Sequence, residues 1–188
     1  STGNMGVGSE TIATLFKKCD KLIVAHAEDE SMIQENASRY FAELERSASL
    51  KKAKAGGKSG LKVGKEGVAL AGGLSIDFID PAVHSKIRTP ECAAKAVQFL
   101  CDLAKENKRR LHIAHISSDQ ELAIILEYRE QGVTCEVAPH HLLLSDDDYA
   151  SLGNFVKINP PIRSRTDIFT MWKALKFGEI DIIATDHA

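Results

Sequence analysis

Several things are scarce in this sequence, and each scarcity excludes something. Its four cysteines, Cys19, Cys92, Cys101 and Cys135, include no C-x-x-C pair. They are too sparse for a disulfide scaffold and read as reduced, buried thiols of a cytoplasmic protein. No apolar stretch approaches the roughly 20 residues that span a membrane. Charge of one sign is not in excess either. A formal net charge of −2 gives no general pull toward nucleic acid or lipid. The start, STGNMGVGSE, has neither a basic segment nor an apolar core, so no signal peptide is expected there.

What is present is an ordinary globular composition, 44% apolar and 27% charged over 188 residues, room for one domain. The local exception is SLKKAKAGGKSGLKVGKEG at 49–67, with six lysines against one glutamate. Lysine and glycine without aromatics cannot build a core, so a solvated loop over about 47–75 is expected. GGKSG lacks the phosphate-loop spacing, because Lys52 stands where its first glycine belongs.

Short apolar runs alternate with segments of helical periodicity. KLIVAHAEDE begins like a strand buried on both faces, and SMIQENASRYFAELERS continues as a helix. TPECAAKAVQFLCDLAKENK reads as a helix with Thr89 at the N-cap and Pro90 at its first position. RRLHIAHISS is the next strand, DQELAIILEYREQG a helix closed by Gly132, and VTCEVA a third strand. PHHLLLSDDDYASLGN is a loop or short helix, FVKINPPIRS is extended, RTDIFTMWKALKFGE is a helix and IDIIATDHA the last strand. Strands near 21–26, 110–116, 133–138 and 181–185 joined by helices imply parallel pairing. A doubly wound open sheet and part of a (β/α)8 barrel both satisfy that pattern.

Parallel strands open their C-terminal ends on one face, where α/β sites are built. His26, His115, the pair His140–His141 and Asp186 all fall at such ends. Two imidazoles and a carboxylate converging there match a catalytic zinc site with an open position. His112 and His115 are three apart, so on one strand only one of them can face the site. Asn159 and Arg163, in KINPPIRSR, form a second constellation. An amide and a guanidinium on a proline-set turn suit a planar substrate with amide and carboxylate groups; a rigid connector with a surface arginine is the plainer reading.

Taken together, VAHAEDE (24–30), HSKIRTPECAAKAV (84–97), LHIAHISS (111–118), CEVAPHHLLLSDDD (135–148), VKINPPIRS (156–164) and IDIIATDHA (180–188) resemble the dihydroorotases of the amidohydrolase superfamily. APHHL, KINPPIRS and ATDHA are the most specific of these strings. Hydantoinases and allantoinases share the metal-site layout but usually differ there. The resemblance implies a partial (β/α)8 TIM barrel, from just after strand four through strand eight. It also implies zinc-dependent interconversion of N-carbamoyl-L-aspartate and L-dihydroorotate in pyrimidine biosynthesis. By the same resemblance His26 and His115 are metal ligands, and Asp186 is a ligand that also carries the proton. Asn159 contacts the small-molecule substrate. His140 and His141 receive no role.

The family's H-x-H motif with its substrate-binding arginine, its bridging lysine or aspartate, and the Pro-His after ATDHA are not in this sequence. The expectation is therefore a fragment with little activity of its own. Its open strand edges would need cover or pairing with another chain, homo-oligomerisation being one route. A hydantoinase- or dihydropyrimidinase-like cyclic amidase and a non-catalytic scaffold subunit are the alternatives. Neither nucleic acid nor membrane is an expected partner.

Overall fold

Four short apolar segments lie side by side. The computed structural model of the chain describes residues 7–54 and 80–187, without the side chains of 48–54. β1 (Ile23–Ala25), β2 (Leu111–Ile113), β3 (Val133–Val137) and β4 (Ile182–Ile183) pair in that order, every pair parallel. A doubly wound sheet would reverse its strand order at a switch point. Here chain order and spatial order coincide, which is the arrangement of a barrel wall. Of the two architectures compatible with the sequence, the chain has the partial barrel.

Alternation along the strands divides the sheet into two faces. Leu111, Ile113, Val133, Cys135 and Val137 are buried against helices. The covering elements are α1 (Ser9–Lys18), α4 (Pro90–Asn107), α5 (Asp119–Glu127) and α8 (Arg165–Phe177), through Phe16, Val97, Leu100, Ile125 and Met171. On the other face the register aligns Val24, His112 and Thr134 in one row and Glu136 with Ile182 in the next. Val24 is 61% exposed and Ile182 48%. That face is the inside of a closed barrel, and the described residues supply an arc of its wall.

Several helix boundaries follow from local chemistry. α4 begins at Pro90 after Thr89 as expected, although the Thr89 side chain makes no capping hydrogen bond. α5 opens with a complete capping box between Ser118 and Glu121, and α8 with another between Ser164 and Asp167. After α5 a 3-10 turn, Arg129–Gln131, ends at Gly132 with φ +84°. A Cβ there would meet only Arg110 Cγ, at an ordinary 3.6 Å, so the demand for glycine is conformational. Gly132→Ala is expected to cost about 1–2 kcal/mol in urea unfolding.

Other elements depart from expectation. α1 had no counterpart in the sequence reading. α2 (Glu30–Lys54) runs past the expected loop boundary near residue 47, and the remainder of that loop lies outside the described residues. The stretch 80–89 ahead of α4 contains α3 (Val83–Ile87), and 139–156 holds α6 (Pro139–Leu143), α7 (Tyr149–Leu152) and two 3-10 turns. Cys92, Cys101 and Cys135 are buried free thiols and Cys19 is half-buried. No described helix is long and apolar enough to cross a membrane.

The last strand is fixed at its root. Asp181 accepts two bonds from the Arg129 guanidinium, at 2.8 and 3.2 Å, and a third from the Cys135 amide at 2.9 Å. Arg129 also donates to the carbonyls of Gly178 and Glu179.

Candidate active site

The C-terminal rim of the sheet brings two of the expected residues together. His26 follows β1 directly and His115 lies two residues beyond β2. His26 Nδ1 and His115 Nε2 are 3.1 Å apart, with ring centroids at 4.9 Å and planes inclined by 65°. A tetrahedral zinc with Zn–N bonds of about 2.0–2.1 Å holds its donor nitrogens roughly 3.3 Å apart. The pair therefore has the spacing of two ligands of one ion.

His115 reaches this position through its backbone. It has φ +37°, a conformation that non-glycine residues adopt sparingly and that gathers at functional sites. Either side of it, the Ala114 amide bonds to Ala25 O and the Ile116 amide to Glu136 O, so neighbours on both flanks fix the turn. Burial pushes the His115 pKa down and His26 adds to that, while Asp186 pulls the other way. A neutral imidazole keeps the lone pair that ligation needs. His112 points elsewhere, with Nδ1 2.8 Å from Thr134 Oγ1 and Nε2 3.1 Å from Glu136 Oε2. Of the two, His115 is the one that lies beside His26.

Asp186 also has a positive φ, +54°, at the exposed tip beyond β4. Its charge is felt by both His115 and His140. It does not join the histidines as a third close donor. Among the described residues no three His, Cys, Asp or Glu side chains gather tightly enough to hold a metal. The two histidines thus fit a metal as a pair, with the carboxylate at the same rim.

Asn159 precedes Pro160 through a cis peptide bond, and its Oδ1 is buried without a hydrogen-bond partner. An uncommitted buried acceptor is a group able to receive a ligand donor. Arg163 is different. It is 4% exposed, donates through Nε to Ser117 Oγ at 3.0 Å and through Nη1 to the Arg88 carbonyl. The NPPIR segment turns this guanidinium inward to join loops, so it is not the surface arginine of the plainer reading, and its Nη2 is buried without a partner. His141 is buried, its Nε2 donating to Pro160 O at 3.0 Å and its Nδ1 without a partner. His140 stacks on it edge-on at 4.4 Å and remains half-buried near Asp186.

Two charged groups escaped the sequence reading. Glu28 Oε2 lies 2.6 Å from Arg88 Nη1 and 3.2 Å from His26 Nε2, the latter approach too bent for a linear hydrogen bond. Burial alone would raise the Glu28 carboxyl, yet His26 and Arg88 hold it below the usual carboxylate range. Glu121 is 1% exposed and accepts from the amides and hydroxyls of both Ser117 and Ser118. The S-x-x-E capping pattern at Ser118 was visible in the sequence. Nothing local announced the Glu28–Arg88 contact, across 60 positions.

No protein-family model matches the chain. Among curated proteins it is 32% identical over 199 aligned residues to a dihydroorotase of Methanosarcina acetivorans, covering 100% of this chain and 35% of that protein. A dihydroorotase of Halobacterium salinarum is 40% identical over 109 residues, 58% of this chain and 25% of that protein. One from Ehrlichia canis is 52% identical over 79 residues, 41% of this chain and 18% of that protein. The chain thus spans about a third or less of the length of these relatives. Among solved structures, an L-hydantoinase (dihydropyrimidinase) from Arthrobacter aurescens superposes with a TM-score of 0.76 at 26% identity, over 100% of this chain and 36% of that one. A D-hydantoinase from a Bacillus species gives the same TM-score, 0.76, at 20% identity, a likeness of fold, covering 100% of this chain and 36% of that one.

Proposed function

Starting from a chain that is one section of a dihydroorotase-like amidohydrolase barrel, we propose that the protein it belongs to is a zinc-dependent cyclic amide hydrolase of the cytoplasm. It interconverts N-carbamoyl-L-aspartate and L-dihydroorotate in pyrimidine biosynthesis. The observation that carries this is the 3.1 Å approach of His26 Nδ1 to His115 Nε2 at the strand ends. In support, the sequence relatives carry the name dihydroorotase over matching stretches.

In this reading His26 and His115 hold the ion as neutral imidazoles. When bound, zinc supplies Lewis acidity at the scissile carbonyl. Asp186, at the exposed tip, takes the proton from the attacking nucleophile and returns it to the leaving group. For ring opening the nucleophile is water and the leaving group the ring nitrogen; for ring closure the ureido nitrogen attacks and water departs. Asn159 offers its free carbonyl oxygen to a substrate N–H. The 188-residue chain alone, supplying two close ligands, is inactive in this reading.

The test is a parallel assay of the full-length protein that carries this section, on dihydroorotate and on hydantoins. Turnover of dihydroorotate is expected, and turnover of hydantoins alone would replace this reading with a hydantoinase-like one. His115→Ala is expected to lower kcat/KM by more than the roughly 10–100-fold typical of groups outside the ligand set. A loss below tenfold in a folded variant would sink the assignment of His115.

A further inference from the structure

We propose that Glu28 is a positioning residue for His26: its carboxylate, held by Arg88, faces ring Nε2 and so leaves Nδ1 bare toward His115. This goes beyond the ligand pair itself and rests on the metal-site reading of His26 and His115.

Histidine ligands present one ring nitrogen, and the partner of the other nitrogen decides which one. The two histidines here are treated unequally. His115 Nδ1 is buried with no partner, and its ring is aimed by the backbone turn at φ +37°. His26 has no such turn; its Nε2 also lacks a hydrogen-bond partner, but the Glu28 carboxylate oxygen Oε2 stands 3.2 Å from it. A negative oxygen at that distance favours, through its charge, the tautomer protonated on Nε2, whose bare nitrogen is Nδ1.

Glu28 is itself held. Its side chain is 1% exposed, and Arg88 Nη1, on a side chain 14% exposed, lies 2.6 Å away on the same oxygen. The anchoring continues behind it. The Arg88 carbonyl accepts from Arg163 Nη1, and Arg163 Nε donates to Ser117 Oγ, two residues after His115. The histidine rings meet at the rim, and Glu28, Arg88, Arg163 and Ser117 form a buried chain of contacts linking the two loops that carry them. A surface ion pair between Glu28 and Arg88 would serve neither ring. A buried one that shares its oxygen with the His26 side orients a ligand.

The test uses the full-length protein with 15N-labelled histidine, first without metal at a pH where His26 is neutral. Long-range 1H–15N correlations are expected to show His26 protonated on Nε2 in the wild type. In Glu28→Ala the His26 signals should move to a mixture of tautomers, with His115 unchanged, and Glu28→Asp should lie between. Zn2+ competition against a chelator should then give about a 10–100-fold weaker Kd for Glu28→Ala. Should the alanine variant fail to fold, Glu28→Asp carries the same comparison with the carboxylate drawn back by one methylene. An unchanged tautomer in a folded Glu28 variant overturns the proposal, as does a wild-type His26 protonated on Nδ1. A tautomer shift in a protein that takes up no zinc would uphold Glu28's role and overturn the metal reading instead. Zinc binding that responds to His26→Ala but not to Glu28→Ala would do the reverse.

Discussion

Glu121→Ala is expected to lower the unfolding free energy by about 3–5 kcal/mol, seen as a large drop in the urea midpoint with the slope unchanged. One oxygen, Oε2, accepts from the Ser117 amide at 3.0 Å, the Ser118 amide at 2.9 Å and both serine hydroxyls at 2.8 Å. Truncation strands two buried amides, each worth about 1–3 kcal/mol when unsatisfied, because water cannot replace the acceptor at a residue 1% exposed. The hydroxyls suffer less, since they rotate and Ser118 Oγ still accepts from the residue 121 amide. Glu121→Gln keeps an acceptor and the shape of the side chain, so its loss should be smaller, about 1–2 kcal/mol. Equal losses for the two substitutions would show that volume, not hydrogen bonding, holds this turn.

Acid should remove stability through His141. Burial, with His140 beside it, pushes its pKa from 6.5 down to about 3. The unfolded chain therefore binds a proton here that the folded chain refuses. The stabilising difference is complete above the unfolded value of 6.5 and is lost as pH falls toward 3, at about 1.4 kcal/mol per unit. At pH 4.5 the loss is roughly 2–3 kcal/mol. His141→Gln retains a donor for the Pro160 carbonyl but cannot take up the proton. Unfolding in urea at pH 7 and pH 4.5 isolates the residue from the carboxylates that also titrate. The variant should lose about 2–3 kcal/mol less than the wild type over that interval. Parallel losses would place the acid sensitivity elsewhere.

The two residues differ in how far the sequence could reveal them. Glu121 was legible as half of an S-x-x-E box, a pattern that needs only three intervening bonds of chain. His141 was conspicuous beside His140, yet its partner is a carbonyl 19 residues away, so its structural role could not be read locally. The same division holds for the fold. Strands were legible because LIVA, LHIA, VTCEV and IDII are short apolar runs in front of polar clusters. α1 was missed although Ile12 and Phe16, four apart, turn one of its faces to the core. The end of α2 was missed because lysine and alanine support a helix without marking any face of it.

At the site, strand-end position pointed to His26 and His115, which the structure brings together, and the resemblance chose between His115 and His112. The rule that residues three apart on a strand face opposite ways did not govern that choice. β2 ends at Ile113, and His115 is turned by its own φ of +37°. Arg163 shows the limit of such reading. A guanidinium two residues after a proline pair suited a substrate contact or a surface connector alike, because charge on a sequence does not say which way a turn is folded. The structure buries it, with Nε and Nη1 on Ser117 and the Arg88 carbonyl and Nη2 without a partner.

The anchoring of the last strand has a mechanical meaning. The Arg129 clamp grips Asp181, and the last backbone bond to the neighbouring strand is Ala184 N to Val137 O at 3.1 Å. Asp186 lies two residues beyond that bond. A rotation at the clamped root turns the strand that leads to it, so the Arg129 clamp bears on the aim of a carboxylate at the rim.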